Sequence, residues 1–441
     1  MKTIEKQTIH KQFQERMNED ELLNCMRCGF CLPSCPTYIE TNANEAHSPR
    51  GRIALMKAVK DGLIAPDKEV EKSLNMCLGC RACEPVCPSG VKYGHLLEEA
   101  RDIIYQSKKQ NLLIKWFRYF IFKKLFPHQN RLRKLVSLIG FYQRSGLQKG
   151  MRKIGLLKIM PDHLKMMEKV LPEISTYREM KNQPFHFKAK RESVKRVAFF
   201  RGCLMDSMFL KTNKATIELL QLAGCDVYVP PTQKCCGALH GHSGEKELAK
   251  ELAKKNIEAF EQLEVDYIIT NAGGCGAFLY EYDHLLKEEP KWKDRAKEFT
   301  EKIKDISELL VELHFHHLYP LQLSNQIVTY QDSCHLRNVM KTIDAPRILL
   351  KSIQGIELNE MKEAERCCGS AGTYNIVQPE MSMQILDHKM KNVKETKATT
   401  IVTANPGCLL QMKLGIERHG RNDLKAVHIV DLLYKSVQGK S

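Results

Sequence analysis

The chain has 441 residues, 17 cysteines and a formal net charge of +16, long enough for about three domains that each bury a core. Its thiols come in tight clusters rather than in the dispersed pattern of a secreted disulfide scaffold, which points to metal ligation in a reducing compartment. The charged start, MKTIEKQ, lacks the apolar core of a signal peptide. The most apolar run, 112–126, is broken by Lys115, Arg118, Lys123 and Lys124 and falls short of the roughly 20 apolar residues a bilayer requires, so a cytoplasmic protein without a transmembrane helix is expected.

Residues 1–100 are cysteine-dense, with short helical patterns. CMRCGFCLPSCP at 25–36 returns as CLGCRACEPVCP at 77–88, both reading C-x2-C-x2-C-x3-C-P. Three cysteines at intervals of three wrap one side of an iron-sulfur cubane, and the fourth, redirected by proline, completes the neighbouring cluster. On that pattern one [4Fe-4S] cluster takes Cys25, Cys28, Cys31 and Cys87, and the other takes Cys77, Cys80, Cys83 and Cys35. Zinc on paired C-x-x-C knuckles is the competing assignment, but nothing in zinc chemistry calls for a third cysteine in step followed by x3-C-P. Between the two phrases, SPRGRIALMKAVKDG predicts a helix with Ser48 as N-cap, Pro49 in the first turn and Gly62 as the stop.

Residues 101–190 predict a cysteine-free helical linker that carries the positive charge. Residues 105–200 hold 23 Lys or Arg against five acidic residues, which leaves the remainder of the chain close to neutral. In 112–160 apolar and basic residues interleave at helical intervals. Three uses fit that pattern: packing on the other domains, docking an acidic partner subunit, or lying on an anionic lipid surface with Trp116, Phe117, Phe120 and Phe122 at the interface. A nucleic-acid role is disfavoured, because the basic segment carries no recognised binding module and the clusters lie outside it.

From 191 onward the sequence repeats. Cys203, Cys235, Cys236 and Cys275 recur as Cys334, Cys367, Cys368 and Cys408, at offsets of 131 to 133 residues, so a duplicated α/β unit is expected over 191–320 and 321–441. In each copy the first and last cysteines follow a β-rich run, which places them at the carboxyl ends of parallel strands, where ligands gather. Each C-C pair is followed by a glycine, Gly237 or Gly369, that lets the backbone bend sharply. Each set of four thiols could hold a further iron-sulfur cluster, hold zinc, act as a redox thiol site, or simply pack. Cys225 has no counterpart in the second copy and is expected in the core. His240, His242 and His335 lie near the sets as candidate extra ligands, more often plain hydrogen-bonding residues; His314, His316 and His317 are expected at a helix-end surface.

No G-x-G-x-x-G or Walker A sequence supports a flavin, nicotinamide or nucleotide site. The phrases CMRCGFCLPSCPTY, SPRGRIALMK, CLGCRACEPVCPSGVKYGHLLEEARDII, NAGGCGAFLYEY, RCCGSAGTYN and VTANPGC resemble the iron-sulfur subunits of bacterial glycolate oxidase. They are similar also to lactate-utilisation proteins, to one of the subunits of anaerobic glycerol-3-phosphate dehydrogenase and to those of heterodisulfide reductase that carry C-C-G domains. The resemblance implies a mixed helical and α/β fold: a helical bis-[4Fe-4S] ferredoxin-like domain, a basic linker and two C-C-G domains. It implies two [4Fe-4S] clusters on the eight cysteines named above, and leaves the C-C-G sites open to an additional iron-sulfur cluster, to zinc or to a structural role. It further implies a chain that oxidises no substrate itself, but takes electrons from flavin-bearing partner subunits, where glycolate becomes glyoxylate, and passes them towards a quinone. Lactate or glycerol 3-phosphate as substrate, or thiol-disulfide reduction at the C-C-G units, are the alternatives. The departure from the fullest C-C-G pattern, which ends in C-x-x-C, is Ala272 and Asn405 where the upstream cysteine would stand. That speaks against the five-cysteine cluster of the heterodisulfide reductases.

Overall fold

Ser48, Pro49 and Gly62 act as their positions predict. The Ser48 hydroxyl accepts the Gly51 amide at 2.9 Å, Pro49 opens the helix Pro49–Lys60, and Gly62 turns left-handed (φ 75°) just beyond its end. This is one of several helices in a computed structural model that describes residues 3–108, 111–155 and 159–439. Its face of Ile53, Met56 and Val59 packs against Ile9 and Phe13 of the helix Thr3–Arg16, Leu74 of Lys68–Met76, and Leu97 and Ile103 of Tyr93–Ser107. Each such buried side chain contributes on the order of 2 kcal/mol. The two cysteine loops ride on this core: Cys77 and Cys83 belong to it, and Cys25, Cys31 and Cys87 pack against it.

The basic segment folds as the helices Leu112–Arg118, Gln129–Arg144, Leu147–Lys153, Asp162–Lys169 and Tyr177–Lys181, with a π-helical turn over Tyr119–Leu125. Residues 156–158 of this segment lie outside the described residues. Leu132 and Val136 bury in the core of the first α/β unit, and Arg133 forms a buried ion pair with Asp206 at 2.6 Å. Part of the segment therefore packs as a linker. The rest does not: Leu112, Leu113, Trp116 and Phe117 are each more than half exposed.

Among the described residues nine strands build two sheets: β1 (His186–Phe187), β2 (Lys195–Phe199), β3 (Cys225–Tyr228), β4 (Tyr267–Thr270) and β5 (Ile303–Asp305), then β6 (Gln322–Gln331), β7 (Gln354–Leu358), β8 (Thr400–Thr403) and β9 (Lys425–His428). The first sheet runs β1-β3-β2-β4-β5 and the second β7-β6-β8-β9. Every pairing is parallel except β1 with β3. Without the edge strand β1 the two orders are the same, so the spacing of the cysteines reports a duplicated fold. Consecutive burial in β8 and at Val197, Ala198 and Phe199 of β2 is the mark of a sheet covered by helices on both faces. The two sheets share one core, in which Val197, Phe199 and Ile269 cluster with Val328, Tyr330 and Val402. Cys225 opens β3 fully buried in that core, where burial pushes its thiol up to about 12. Among the described residues no helix is long and apolar enough to cross a membrane.

Candidate metal centre

The repeated cysteine phrase folds twice into the same loop. Arg27 and Gly29 are left-handed in the first copy, and Gly79 and Arg81 at the corresponding positions in the second. A non-glycine residue there costs roughly 1–2 kcal/mol, yet each copy keeps an arginine at one of the two sites. The turn is thus enforced by its surroundings. In the second copy Arg81 is held by Glu84 at 2.8 Å and by Glu281.

Cys25, Cys28, Cys31 and Cys87 line one pocket together with Cys83, walled by Phe30, Ile53, Pro88 and Val91, so the first loop meets the third and fourth cysteines of the opposite phrase in space. Cys35 lies between the two sets: it is within electrostatic reach of Cys77 and Cys83 and also of Cys31, and Cys83 is within reach of Cys77 and Cys80 as well. Among the described residues no three Cys, His, Asp or Glu side chains close on one point as a single metal ion demands. The charge around the second set fits bound thiolates. Arg52 is fully buried; it donates to the Ser73 carbonyl at 2.8 Å and to Thr37 Oγ1 at 3.0 Å and hydrogen-bonds Cys35, and among the described residues it has no carboxylate partner and its Nη1 no partner at all. A buried cation needs a buried anion, and the groups within its reach are Cys77, Cys35 and Tyr93. Burial pushes the Cys83 and Cys35 thiols up. It would raise Cys77 too, but the charges of Arg52 and Arg101 outweigh it and hold that thiol below its ordinary value.

The C-C-G cysteines also assemble as two sets. Cys203 and Cys275 follow the carboxyl ends of β2 and β4, and Gly237 takes φ 92° after the C-C pair. The Cys235 thiol lies 3.6 Å from that of Cys203, and Cys236 contacts both Cys235 and Cys275. In the second unit Gly369 takes φ 89°, Cys367 contacts Cys334, and Cys368 contacts Cys367 and Cys408. Where the upstream cysteine of the final pair would stand, Asn405 Nδ2 donates to Cys408 Sγ at 3.6 Å, and its Oδ1 accepts the Gly274 amide of the first unit at 3.1 Å. Ala272, the other such position, is buried and donates its amide to Thr270 Oγ1 at 3.3 Å.

All eight C-C-G cysteines line one cavity of about 630 Å³, and Cys77 of the second N-terminal phrase lines it too. That phrase is docked directly on the second α/β unit. The Met76 carbonyl accepts from Tyr374 Oη at 2.8 Å, Gly79 from His335 Nε2 at 2.9 Å and Cys80 from Asn338 Nδ2 at 2.9 Å. The Cys80 thiol itself hydrogen-bonds Cys367. The second N-terminal thiol set and the second C-C-G set are therefore in contact, a juxtaposition that the cysteine spacing alone did not reveal.

The histidines divide by role. His240 is buried and donates through Nε2 to the Phe122 carbonyl at 2.8 Å, pinning the basic segment, and it does not line the cavity. His242 and His335 do line it; His242 bonds Glu98 at 2.7 Å, and burial lowers His335 to about 4, so it is a neutral donor to Gly79. His314 starts the short helix Phe315–Leu318 in a left-handed conformation, and the rings of His316 and His317 lie tilted against each other, 4.1 Å between centroids. Sequence reasoning missed Arg52 and the triad of Arg81, Glu281 and His95 between the N-terminal domain and the first unit, because no spacing rule links residues some 200 positions apart.

The sequence matches known proteins over each of these parts. Family models match at residues 21–91, a 4Fe-4S dicluster domain; at 114–171, the linker region of the glycolate oxidase iron-sulfur subunit; and at 197–280 and 328–413, a cysteine-rich domain. The probable glycolate oxidase iron-sulfur subunit of Bacillus subtilis (strain 168) is 64% identical over 99% of both chains. The glycolate oxidase iron-sulfur subunit of Escherichia coli (strain K12) is 31% identical over 90% of this chain and 91% of its own. Lactate utilization protein A of Bacillus cereus (strain G9842) is 35% identical, over 54% of this chain and 98% of its own. With a dicluster loop pair, a basic linker and a duplicated C-C-G fold in that order, and with full-length identity to match, the chain belongs to the glycolate oxidase iron-sulfur subunit family.

Proposed function

We propose that this chain is the electron relay of a glycolate oxidase complex, taking electrons from flavin-bearing partner subunits, where glycolate becomes glyoxylate, and delivering them towards a quinone. It does so as a two-cluster module over residues 1–100, a basic connector over 101–190 and two C-C-G units over 191–320 and 321–441. Two [4Fe-4S] clusters, one on Cys25, Cys28, Cys31 and Cys87 and the other on Cys77, Cys80, Cys83 and Cys35, supply one-electron transfer when bound. Arg52 and Arg101 offset the negative charge gathered at the second set. Tyr374, His335 and Asn338 fix that loop against the C-C-G cavity, where the sets Cys203, Cys235, Cys236, Cys275 and Cys334, Cys367, Cys368, Cys408 form the next station, suited to a further cluster or zinc.

The observation that carries this reading is the contact between Cys80 and Cys367, which makes an N-terminal set and a C-C-G set immediate neighbours. Identity along the full chain favours glycolate, since the lactate-utilisation relative matches little more than half of it. The exposed basic and apolar helix at 112–118 supports a cytoplasmic chain held against the inner face of the membrane.

The test is made on anaerobically purified protein. The chain alone should carry about eight irons for two cubanes, more if a C-C-G set is filled, and should leave glycolate untouched. Adding the flavin subunits should make its EPR signals respond to glycolate. A zinc-loaded, iron-free chain, or one that reduces disulfides by itself from an artificial donor, would refute the relay.

A further inference from the structure

The cavity has an end where no thiol lies. Tyr105, Lys108, Asn111, Ile114 and Arg118 line it there, between the helix Tyr93–Ser107 and the first helix of the basic segment. Asn111 and Ile114 are exposed, so this end is a mouth.

The cations at the mouth are already neutralised: Lys108 pairs with Glu71 at 2.7 Å and Arg118 with Glu245 at 2.9 Å. An anionic ligand would have to break these pairs, whereas a neutral one need not. Two fixed guanidinium groups nevertheless reach it. Arg101 and Arg118 both line the cavity. Both are held in place: Arg118 Nη2 donates to the Ser243 carbonyl at 2.7 Å and its plane covers the Tyr105 ring at 3.8 Å, while Arg101 Nη2 donates to the Cys77 carbonyl at 2.6 Å. Positioned N–H groups of this kind suit the carbonyl oxygens of a neutral ring. Leu78, Ile104 and Leu239 make the adjoining wall apolar.

Outside the mouth, Ile114 stands on the same helix as Leu112, Leu113, Trp116 and Phe117, the most exposed apolar cluster of the basic segment, interleaved with Lys115 and Arg118. Such a face lies at the boundary of an anionic bilayer. A ligand with a flat dicarbonyl head and a long apolar tail meets both conditions.

We infer that this cavity is the site of a membrane quinone, its head between Arg101, Arg118 and the Cys77 loop and its tail leaving beside Ile114 into lipid. The inference rests on the reading of quinone as the acceptor. Oxidation of one glycolate to glyoxylate releases two electrons and two protons. The quinone takes up two electrons, delivered singly through the chain, and two protons from water at the mouth, and departs as the quinol.

The experiment uses the assembled complex in anionic phospholipid vesicles, photolabelled with azido derivatives of an isoprenoid naphthoquinone and an isoprenoid benzoquinone and then peptide-mapped. Label should fall on residues 101–118 or 239–243 and be suppressed by excess unlabelled quinone. Ile114→Asp and Arg118→Met should each weaken quinone affinity about tenfold, the scale of one charge-assisted hydrogen bond or one buried side chain, with the EPR signals of the N-terminal clusters retained. Competable label confined to a partner subunit overturns the cavity but leaves quinone as the acceptor. A complex that passes electrons from glycolate to a soluble dye but to neither quinone overturns both.

Discussion

A guanidinium at 0% exposure that, among the described residues, bonds a carbonyl, a hydroxyl and the Cys35 thiol but no carboxylate is an expensive group to bury, and Arg52 becomes intelligible beside thiolates. Removing its charge disfavours adding an electron nearby. Arg52→Gln is therefore expected to lower the reduction potential of the cluster on Cys77, Cys80, Cys83 and Cys35 by about 60 mV, the one-electron equivalent of roughly 1.4 kcal/mol, with Arg52→Lys intermediate. Redox titration followed by EPR reads both. The proposed exchange of fourth cysteines makes a second expectation at this scale. Cys87→Ser should damage the cluster of Cys25, Cys28 and Cys31, not that of its sequence neighbours, and selective loss of the other EPR signal would overturn the assignment. The candidate cysteines were legible in the sequence because cluster ligation fixes their intervals. Arg52 was not, because the negative charge that justifies it is gathered from two loops on either side of it in the chain.

At the scale of elements, the helix Leu112–Arg118 and the π turn after it present Leu113, Trp116, Phe117 and Phe120 to solvent among Lys115, Lys123 and Lys124. If they meet lipid, the complex should float with vesicles containing anionic phospholipid and not with neutral ones. Trp116→Glu with Phe117→Glu should reduce that binding at least tenfold, by losing two interfacial aromatics and adding two repelled charges. Cosedimentation at two ionic strengths checks both effects. The periodicity in this segment predicted helices correctly but could not apportion them, since apolar residues at helical intervals look alike whether they bury, as Leu132 and Val136 do, or remain exposed, as Leu113 does. The parallel strands before Cys203, Cys275, Cys334 and Cys408 were legible as β-rich runs. The edge strand β1 was not, because two residues are too short to show a period.

For the whole molecule, the duplicated fold was readable from cysteine offsets, whereas the docking of the N-terminal domain on both units was not. Its clamps join residues from distant parts of the chain: Arg81 and His95 with Glu281, Arg366 and His388 with Glu40, and the carbonyls of Met76, Gly79 and Cys80 with the second unit. Burial would raise the Glu281 carboxyl, but the His95 hydrogen bond and the Arg81 charge hold it well below the usual carboxylate range. Its contribution is then fully present above the unfolded value of about 4.3 and is lost as pH falls below that. Glu281→Gln should lower stability by about 1–3 kcal/mol at pH 7, and the gap to the unmodified protein should narrow steadily below pH 4, as thermal unfolding under anaerobic conditions will record.

The capture of the Met76, Gly79 and Cys80 carbonyls by side chains of the second unit bears on how charge travels. Stations tied together by their own backbone keep a constant separation, so each hop depends on a gap set at folding rather than on a swinging arm or an opening door. Throughput then belongs to the two ends, where a donor must dock and a carrier must come and go, while the interior behaves as a solid conductor.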